Sequence, residues 1–428
     1  VLHCYADEYA SILKFNHWLL PMTNSPILRR SLTLPLVILY GLGNILGAGV
    51  YVLIGKVAGE AGYLAPFAFL VSSTIAGITA FSFCELSSRF PVSGGAAIYV
   101  KEGFGIPRLS LVVGLLLILT GIVSAATLSK GFAGYLDVFI ELPSELVVVS
   151  LLLLLAAVAI WGIAESVSFA AAFTILEVAG LLVILFVTAP VLEQLPERRA
   201  DFIPTMDVAA WTGMFGGAFL AFYAYVGFED MVNLAEEVKN PRRNMPIAIV
   251  LALGIATVIY VMIALSSVLI LSPEQLQVAE APLAEIYQAA TSQNPWFISL
   301  VSLFAVINGA LIQIIMGSRV SYGLAKQGLI SATFARLNPH TQTPVVSTCV
   351  ITGLMITAAL WLPIETLAKT TSYLLLGLFC LVNLALINIK RRDSAEEPAF
   401  TVPMWVPIAG SMSCALFLTL QTASIVFR

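Results

Sequence analysis

A chain of 428 residues that is 59% apolar and 11% charged carries less than half the charge of an average soluble domain, about 25%, and reads as a multi-spanning membrane protein. The net charge of -4 matters less than which loops hold Lys and Arg, and no nucleic-acid partner is expected. His3, His17 and His340 are too few and too scattered for a metal site or a triad inside the membrane, which excludes most intramembrane enzymes and any resident metal or cofactor.

In chain order, the N-terminal segment 1–30 comes first. Residues 1–21 lack a signal-peptide hydrophobic region, and Met22 is the expected native start; an amphipathic surface helix near residues 9–20 is the other reading. Apolar runs of bilayer-spanning length, roughly 20 residues each, then fall at 36–54, 64–85, 109–129, 146–161 and 167–187. A second series falls at 211–228, 246–271, 296–315, 345–362 and 372–389, with an eleventh at 406–426. Alternate loops carry Arg29 and Arg30; Arg89, Lys101 and Arg108; Lys239, Arg242 and Arg243; Arg319, Lys326 and Arg336; and Lys390, Arg391 and Arg392. The opposite loops are poor in Lys and Arg, and 272–295 has none while carrying Glu274, Glu280 and Glu285. This asymmetry predicts a cytoplasmic N-terminus, and with eleven spans an outer C-terminus. Cys84, Cys349, Cys380 and Cys414 sit in or beside apolar spans without metal-ligand spacing, as small packing residues do.

Two spans are interrupted by glycine at matching places. The first reads Gly41-Leu-Gly-Asn-Ile45-Leu-Gly47-Ala48-Gly49-Val50-Tyr51, and the second runs from Gly213 through Gly216, Gly217, Phe222, Tyr223, Ala224, Tyr225 and Val226 to Gly227. Broken backbone at membrane depth leaves N–H and C=O groups unpaired, at several kcal/mol each unless a cavity or a ligand takes them up. Each break opens a set of five helices, and an odd number per set inverts the second set relative to the first, with a site between the broken helices. The domain reading is therefore 31–190 and 208–389 as two inverted five-helix repeats, with 403–428 as an added helix. At the first break Gly47, Ala48 and Gly49 free N–H groups beside a half-helix N-terminus, where a carboxylate is favoured. At the second, the carbonyls of Tyr223, Ala224 and Val226 face a cation. An α-amino acid offers both charges. Gly49→Leu is accordingly expected to abolish binding and spare folding, while helix packing is the other reading of these glycines.

The chain resembles the amino acid, polyamine and organocation (APC) superfamily of secondary transporters from about residue 30 to 389. Four stretches carry the resemblance: Gly47-Ala-Gly-Val50; Glu85-Leu-Ser-Ser-Arg-Phe-Pro91-Val-Ser93-Gly94-Gly95 with Tyr99; Ala224-Tyr-Val-Gly227-Phe-Glu229 leading into Glu236-Glu237-Val-Lys239-Asn240-Pro241-Arg242; and Gly317-Ser-Arg319 with Tyr322-Gly-Leu-Ala-Lys-Gln-Gly328. The Glu-Glu-Val-Lys-Asn-Pro run looks most like the cationic amino acid transporter branch and its bacterial relatives. The resemblance implies an all-α bundle of about eleven helices with five-plus-five inverted repeats, like that of the leucine transporter. It also implies that the backbone of Ile45, Ala48 and Gly49 binds substrate with that of Tyr223, Ala224 and Val226. The runs at 91–95 and 236–242 are expected to be structural or gating, without contact to substrate.

Glu177 sits at the middle of the fifth span with Ala170, Thr174 and Gly180 on its helix face, and an intramembrane carboxyl is a functional candidate. In the cationic branch this position holds Lys, so the charge is reversed here. Glu177 is the proton-coupling candidate; a structural hydrogen bond to a neighbouring helix is the alternative. Asn308 is a weaker candidate, Phe222 and Tyr225 are candidates for an aromatic gate, and Lys130 is read as snorkelling to the interface. No other carboxylate is evident near the pocket, which favours a neutral substrate.

These features point to an amino acid permease of the plasma (inner) membrane, working by alternating access with proton symport. An ion-independent amino acid or polyamine exchanger, or a sensor or channel on the same scaffold, stays open, as does the oligomeric state.

Overall fold

The computed structural model describes residues 30–47, 49–92, 95–161, 167–204, 207–339, 341, 343–392 and 398–426. The expectations for residues 1–21, the start at Met22 and the contact of Ala48 lie outside the described residues.

The first span is two helices, α1 (Leu34–Leu46) and α2 (Gly49–Ala61). They are followed by α3 (Ala65–Arg89), the short α4 (Gly95–Phe104), α5 (Pro107–Asp137), α6 (Ser144–Trp161) and α7 (Val167–Thr188). The second set opens with α8 (Val208–Phe222), which ends in a 3-10 turn at Tyr223–Tyr225 and an irregular strap through Met231–Leu234. Helix α9 (Pro241–Ile270), the outer-loop helices α10 (Pro273–Val278) and α11 (Pro282–Thr291), and α12 (Trp296–Lys326), α13 (Val345–Trp361), α14 (Ile364–Arg391) and α15 (Trp405–Val426) complete the chain. Each of the eleven predicted spans is helical. No strand occurs among the described residues.

Local chemistry sets several helix starts. Proline occupies the first turn of α1, α3, α5, α9, α10 and α11, where its missing N–H costs nothing. Asp207 caps α8 by accepting from the Ala209 N–H, and Ser272 with Gln275 forms a capping box on α10. The segment 273–291 thus forms two short helices.

Helix pairing follows the two sets. The broken spans pack on each other through α2 and α8; α3 packs on α9, α5 on α12 and α6 on α13. The first four like-numbered pairs of the two sets thus meet. Trp161, Trp296, Trp361 and Trp405 lie at helix ends and are 79%, 55%, 82% and 63% exposed, the distribution of an interfacial aromatic belt. Between the helix ends, Leu153, Leu154, Ile175, Leu182 and Phe186 are exposed, an outward apolar surface suited to lipid.

The two loop classes segregate to opposite ends of the bundle. On the basic face, Leu32 bridges Val238, with its N–H donating to the Glu237 carbonyl at 3.0 Å and the Lys239 N–H donating to its carbonyl at 2.9 Å. Asn240 then takes a left-handed conformation, φ 49°, and turns the chain into Pro241 at the head of α9. Gly95, at φ 46°, abuts Asn233 and Val232 of the strap. Of the two motif runs, the first therefore abuts the strap at 232–233 and the second pairs with Leu32 ahead of α1. On the same face the Glu85 carboxylate, fully buried, accepts from Arg89, from Lys390 Nζ at 2.7 and 2.8 Å and from the Val402 N–H at 2.8 Å. Within the bundle, Asn383 of α14 accepts from Ser82 at 2.6 Å and donates to Thr79 at 3.0 Å, tying α14 to α3. Cys84 and Cys414 are buried packing residues, as their positions predicted.

Candidate substrate site

The first break falls where predicted. Helix α1 ends at Leu46, and the Gly47 N–H donates to the Gly43 carbonyl at 2.9 Å. Gly47 therefore caps α1 and is not a free donor, a correction to the expected cradle. The open N–H groups are those of the first turn of α2, which starts at Gly49 and by helix geometry has no intrahelical partners there.

The second break falls at Val226 and Gly227, φ 123°, at the end of the 3-10 turn, within the segment that the sequence marked. Gly213, Gly216 and Gly217 lie inside α8 and serve packing: a Cβ there would stand 2.7 Å from the Glu60 carbonyl oxygen, 2.6 Å from Glu60 Oε1 and 2.6 Å from Ala61 Cβ. A Cβ on Gly227 would stand 2.7 Å from Asn44 carbonyl atoms, and one on Gly49 would stand 2.5 Å from Ala224 Cα. The two interrupted segments thus touch backbone to backbone, which only glycine permits.

Between them lies a cavity of about 40 Å³ lined by Ile45, Gly47, Gly49, Tyr223 and Val226 together with Asn44, Ser124, Asp230, Ile312 and Gln313. A single water needs roughly 10–15 Å³ on this measure, so the site is narrow. Its polar atoms are partly committed. Tyr223 carbonyl accepts from the Val226 N–H at 3.1 Å, and its hydroxyl is 2.9 Å from Ser124 Oγ. The carboxamide nitrogen of Asn44 and the carboxamide oxygen of Gln313 are buried without partners.

Several expectations change here. Phe222 and Tyr225 do not line the cavity. Phe222 packs on Phe379 with ring centroids 5.9 Å apart, and Tyr225 donates to the Phe69 carbonyl at 3.1 Å among Phe69 and Tyr260. Both belong to the core: Phe222 closes α8 before the turn begins, and Tyr225 ends the 3-10 turn. Ala224 contributes backbone contact to Gly49, while its carbonyl accepts from Tyr260 at 2.9 Å; the Tyr260 hydroxyl also reaches the Ile45 carbonyl at 2.5 Å. Tyr260 is the residue that sequence reasoning missed at the core of the site, since one Tyr in an apolar span carries no signal distinguishing it from packing. Asp230 was missed as well. It lines the cavity and is 5% exposed, so Glu177 is not the only carboxyl near the pocket, and the ground for expecting a neutral substrate is removed.

Glu177 is fully buried on α7, facing α1 and α2 as its helix face predicted. Tyr51 donates to its backbone carbonyl at 2.7 Å, Asn308 Nδ2 is 3.4 Å from Oε1, and Oε2 has no partner. Thr174 and Gly180 share this face, with Gly43 against Thr174 and Gly180 near the Tyr51 hydroxyl; the Ala170 side chain lies outside the described residues. Glu177 and Asn308 thus meet each other, beside the cavity rather than on it. Lys130 sits in a groove on the acidic face with Lys56, Glu145 and Glu280.

The two ends of the site differ. Towards the acidic face, Tyr135 donates to the Tyr51 carbonyl and lies within reach of the Leu283 N–H, and Gly55, Gly59 and Gly134 are in backbone or side-chain contact with the 276–280 segment, so α10 and the chain after it cover α2. Towards the basic face, a vestibule of about 490 Å³ is lined by Tyr40, Asp230, Asn233, Glu237, Arg319 and Gln327, among others. Asp230 and Ile312 border both spaces.

Residues 32–427 match the family described as amino acid permease. The chain is 26% identical over 413 residues to the branched-chain amino acid permease BcaP of Bacillus subtilis, covering 90% of this chain and 86% of that protein. It is 30% identical over 405 residues to the vacuolar cationic amino acid transporter 2 of Arabidopsis thaliana, covering 87% of this chain and 61% of the plant protein. It is 24% identical over 417 residues to the methylthioribose transporter of Bacillus subtilis, covering 92% and 88%. With backbone breaks meeting at a narrow polar cavity in an all-α bundle, and a family match over nearly its whole length, the chain belongs to the amino acid permease family of the APC superfamily, whose members are transporters and not enzymes.

Proposed function

We propose that the protein carries an amino acid across the plasma (inner) membrane by alternating access, in symport with a proton. The observation that carries this reading is the cavity where the two breaks meet: the first turn of α2 offers N–H donors to an α-carboxylate, and the carbonyl ends of the other break offer acceptors to an α-ammonium. Ile45, Gly49, Tyr223 and Val226 are the contacts in this reading, with Gly47 giving room. By the positive-inside rule the basic face is cytoplasmic, which puts the N-terminal segment inside and makes the vestibule an inward opening, with the outer side covered. Glu177 is the coupling carboxyl in this proposal. Among the described residues it has one amide donor, an oxygen without a partner and no paired cation to hold it in one charge state.

A melting-temperature screen of the purified protein against the amino acids and polyamines, basic and neutral alike because Asp230 borders the cavity, tests the substrate class. Proteoliposome uptake with and without a pH gradient then tests coupling. Counterflow that is indifferent to the pH gradient would favour the exchanger and count against symport.

A further inference from the structure

The vestibule is roughly twelve times the volume of the central cavity and large enough for a whole amino acid. Its wall holds Arg319 of α12 and, on the strap, Asp230 and Glu237. Among the described residues none of these three makes an ion pair, and none is among the residues with further partners. Asp230 is 95% buried, borders the vestibule, and has no cation paired with it among the described residues. A buried carboxylate left this way is costly unless a positive group arrives. Opposite charges that line one cavity without pairing leave both signs available to a zwitterionic ligand. The rest of the wall includes Leu117, Ile312, Ile315, Met316, Val320 and Leu324, an apolar surface beside the charges.

We propose that the vestibule is a second amino-acid site on the release path, where Arg319 takes the α-carboxylate of a zwitterion, Asp230 and Glu237 take its ammonium, and an apolar side chain lies on the α5–α12 wall. The guanidinium suits a carboxylate because its fork can donate two parallel hydrogen bonds. This inference rests on the amino-acid reading above and adds a consequence to it. Amino acid accumulated on the vestibule side occupies the second site and slows release from the first.

The test is equilibrium dialysis of the purified full chain with tritiated L-leucine or, if leucine gives no melting shift, with the amino acid that gives the largest one. Two classes of site are expected, the weaker one lost in Arg319→Gln and in Glu237→Gln while the tighter one is unchanged. Arg319→Lys keeps the charge and should keep the weaker class at reduced affinity, which separates a binding role from a folding defect. In proteoliposomes, inhibition of transport by preloaded amino acid should disappear in Arg319→Gln. A single class in the unmodified protein, or both classes intact in both variants, overturns the vestibule site and leaves the central site standing. No melting shift and no binding with any amino acid overturns the reading on which it rests.

Discussion

Gly49 and Ala224 approach so closely that a Cβ on the first would stand 2.5 Å from the Cα of the second. Neither backbone can yield without separating the two interrupted segments. The expectation that Gly49→Leu removes binding and spares folding is therefore revised: overpacking at such a contact costs about 1–3 kcal/mol, and four added carbons exceed that case. Gly49→Ala should lower the melting temperature and abolish substrate-induced stabilisation together. Unchanged melting with lost binding would show that the contact is not tight.

Tyr260→Phe deletes the hydroxyl that serves the carbonyls of Ile45 and Ala224, one from each break. The aromatic packing against Phe69 and Tyr225 remains. A buried acceptor left unpaired costs about 1–3 kcal/mol, so stability should fall by that order. Transport should fall further, since the two breaks lose their common tether. Wild-type uptake by the variant would remove Tyr260 from the site.

Glu177→Gln keeps the shape and leaves a carbonyl oxygen for the Asn308 amide, now 3.4 Å from Oε1. Exchange should persist, while accumulation driven by a pH gradient and the pH dependence of binding are lost. Continued concentration of substrate under a proton gradient alone would make Glu177 a structural residue. Glu177→Leu also removes the acceptor for Asn308, so a lower melting temperature than in Glu177→Gln is expected.

Lys390→Met strips one cation from the Glu85 carboxylate, which is fully buried while its partners Arg89 and Lys390 are 13% exposed. Removing one member of a buried ion cluster costs about 3–5 kcal/mol. The melting temperature should drop sharply, and Glu85→Gln in the same chain should recover part of the loss. Equal melting in all three proteins would mean that the cluster contributes nothing.

Helix positions and the first break were legible in the sequence because they depend on composition and on a dense glycine run, Gly41 to Gly49. The second break was legible in its position, Tyr223 to Gly227, but not in the role of the glycines before it. Glycine identity does not reveal whether a residue frees backbone, as Gly227 does at φ 123°, or admits a neighbour, as Gly216 admits Glu60. Tyr225 was misplaced for a related reason: a 3-10 turn changes the angle between successive side chains, while Phe222, still in α8, faces Phe379, so distance from the break in sequence does not give the side that a residue faces. Asp230 follows Glu229 in a polar run, and such a run reads as a solvated loop until the fold brings it to the cavity. The pairing of Glu177 with Asn308 spans 131 positions, and nothing local in either helix announces it.

The bridge at Leu32 has a mechanical consequence. Its N–H and carbonyl are clamped by Glu237 and Lys239, so the chain just ahead of α1 and the wall of the vestibule form one piece. If α1 swings while the bridge holds, the swing carries Glu237 with it and changes the width of the vestibule in the same stroke. If the bridge gives way, two backbone hydrogen bonds must break at once. The half-helix of one set and the strap of the other are thereby yoked, and a force applied at either reaches both.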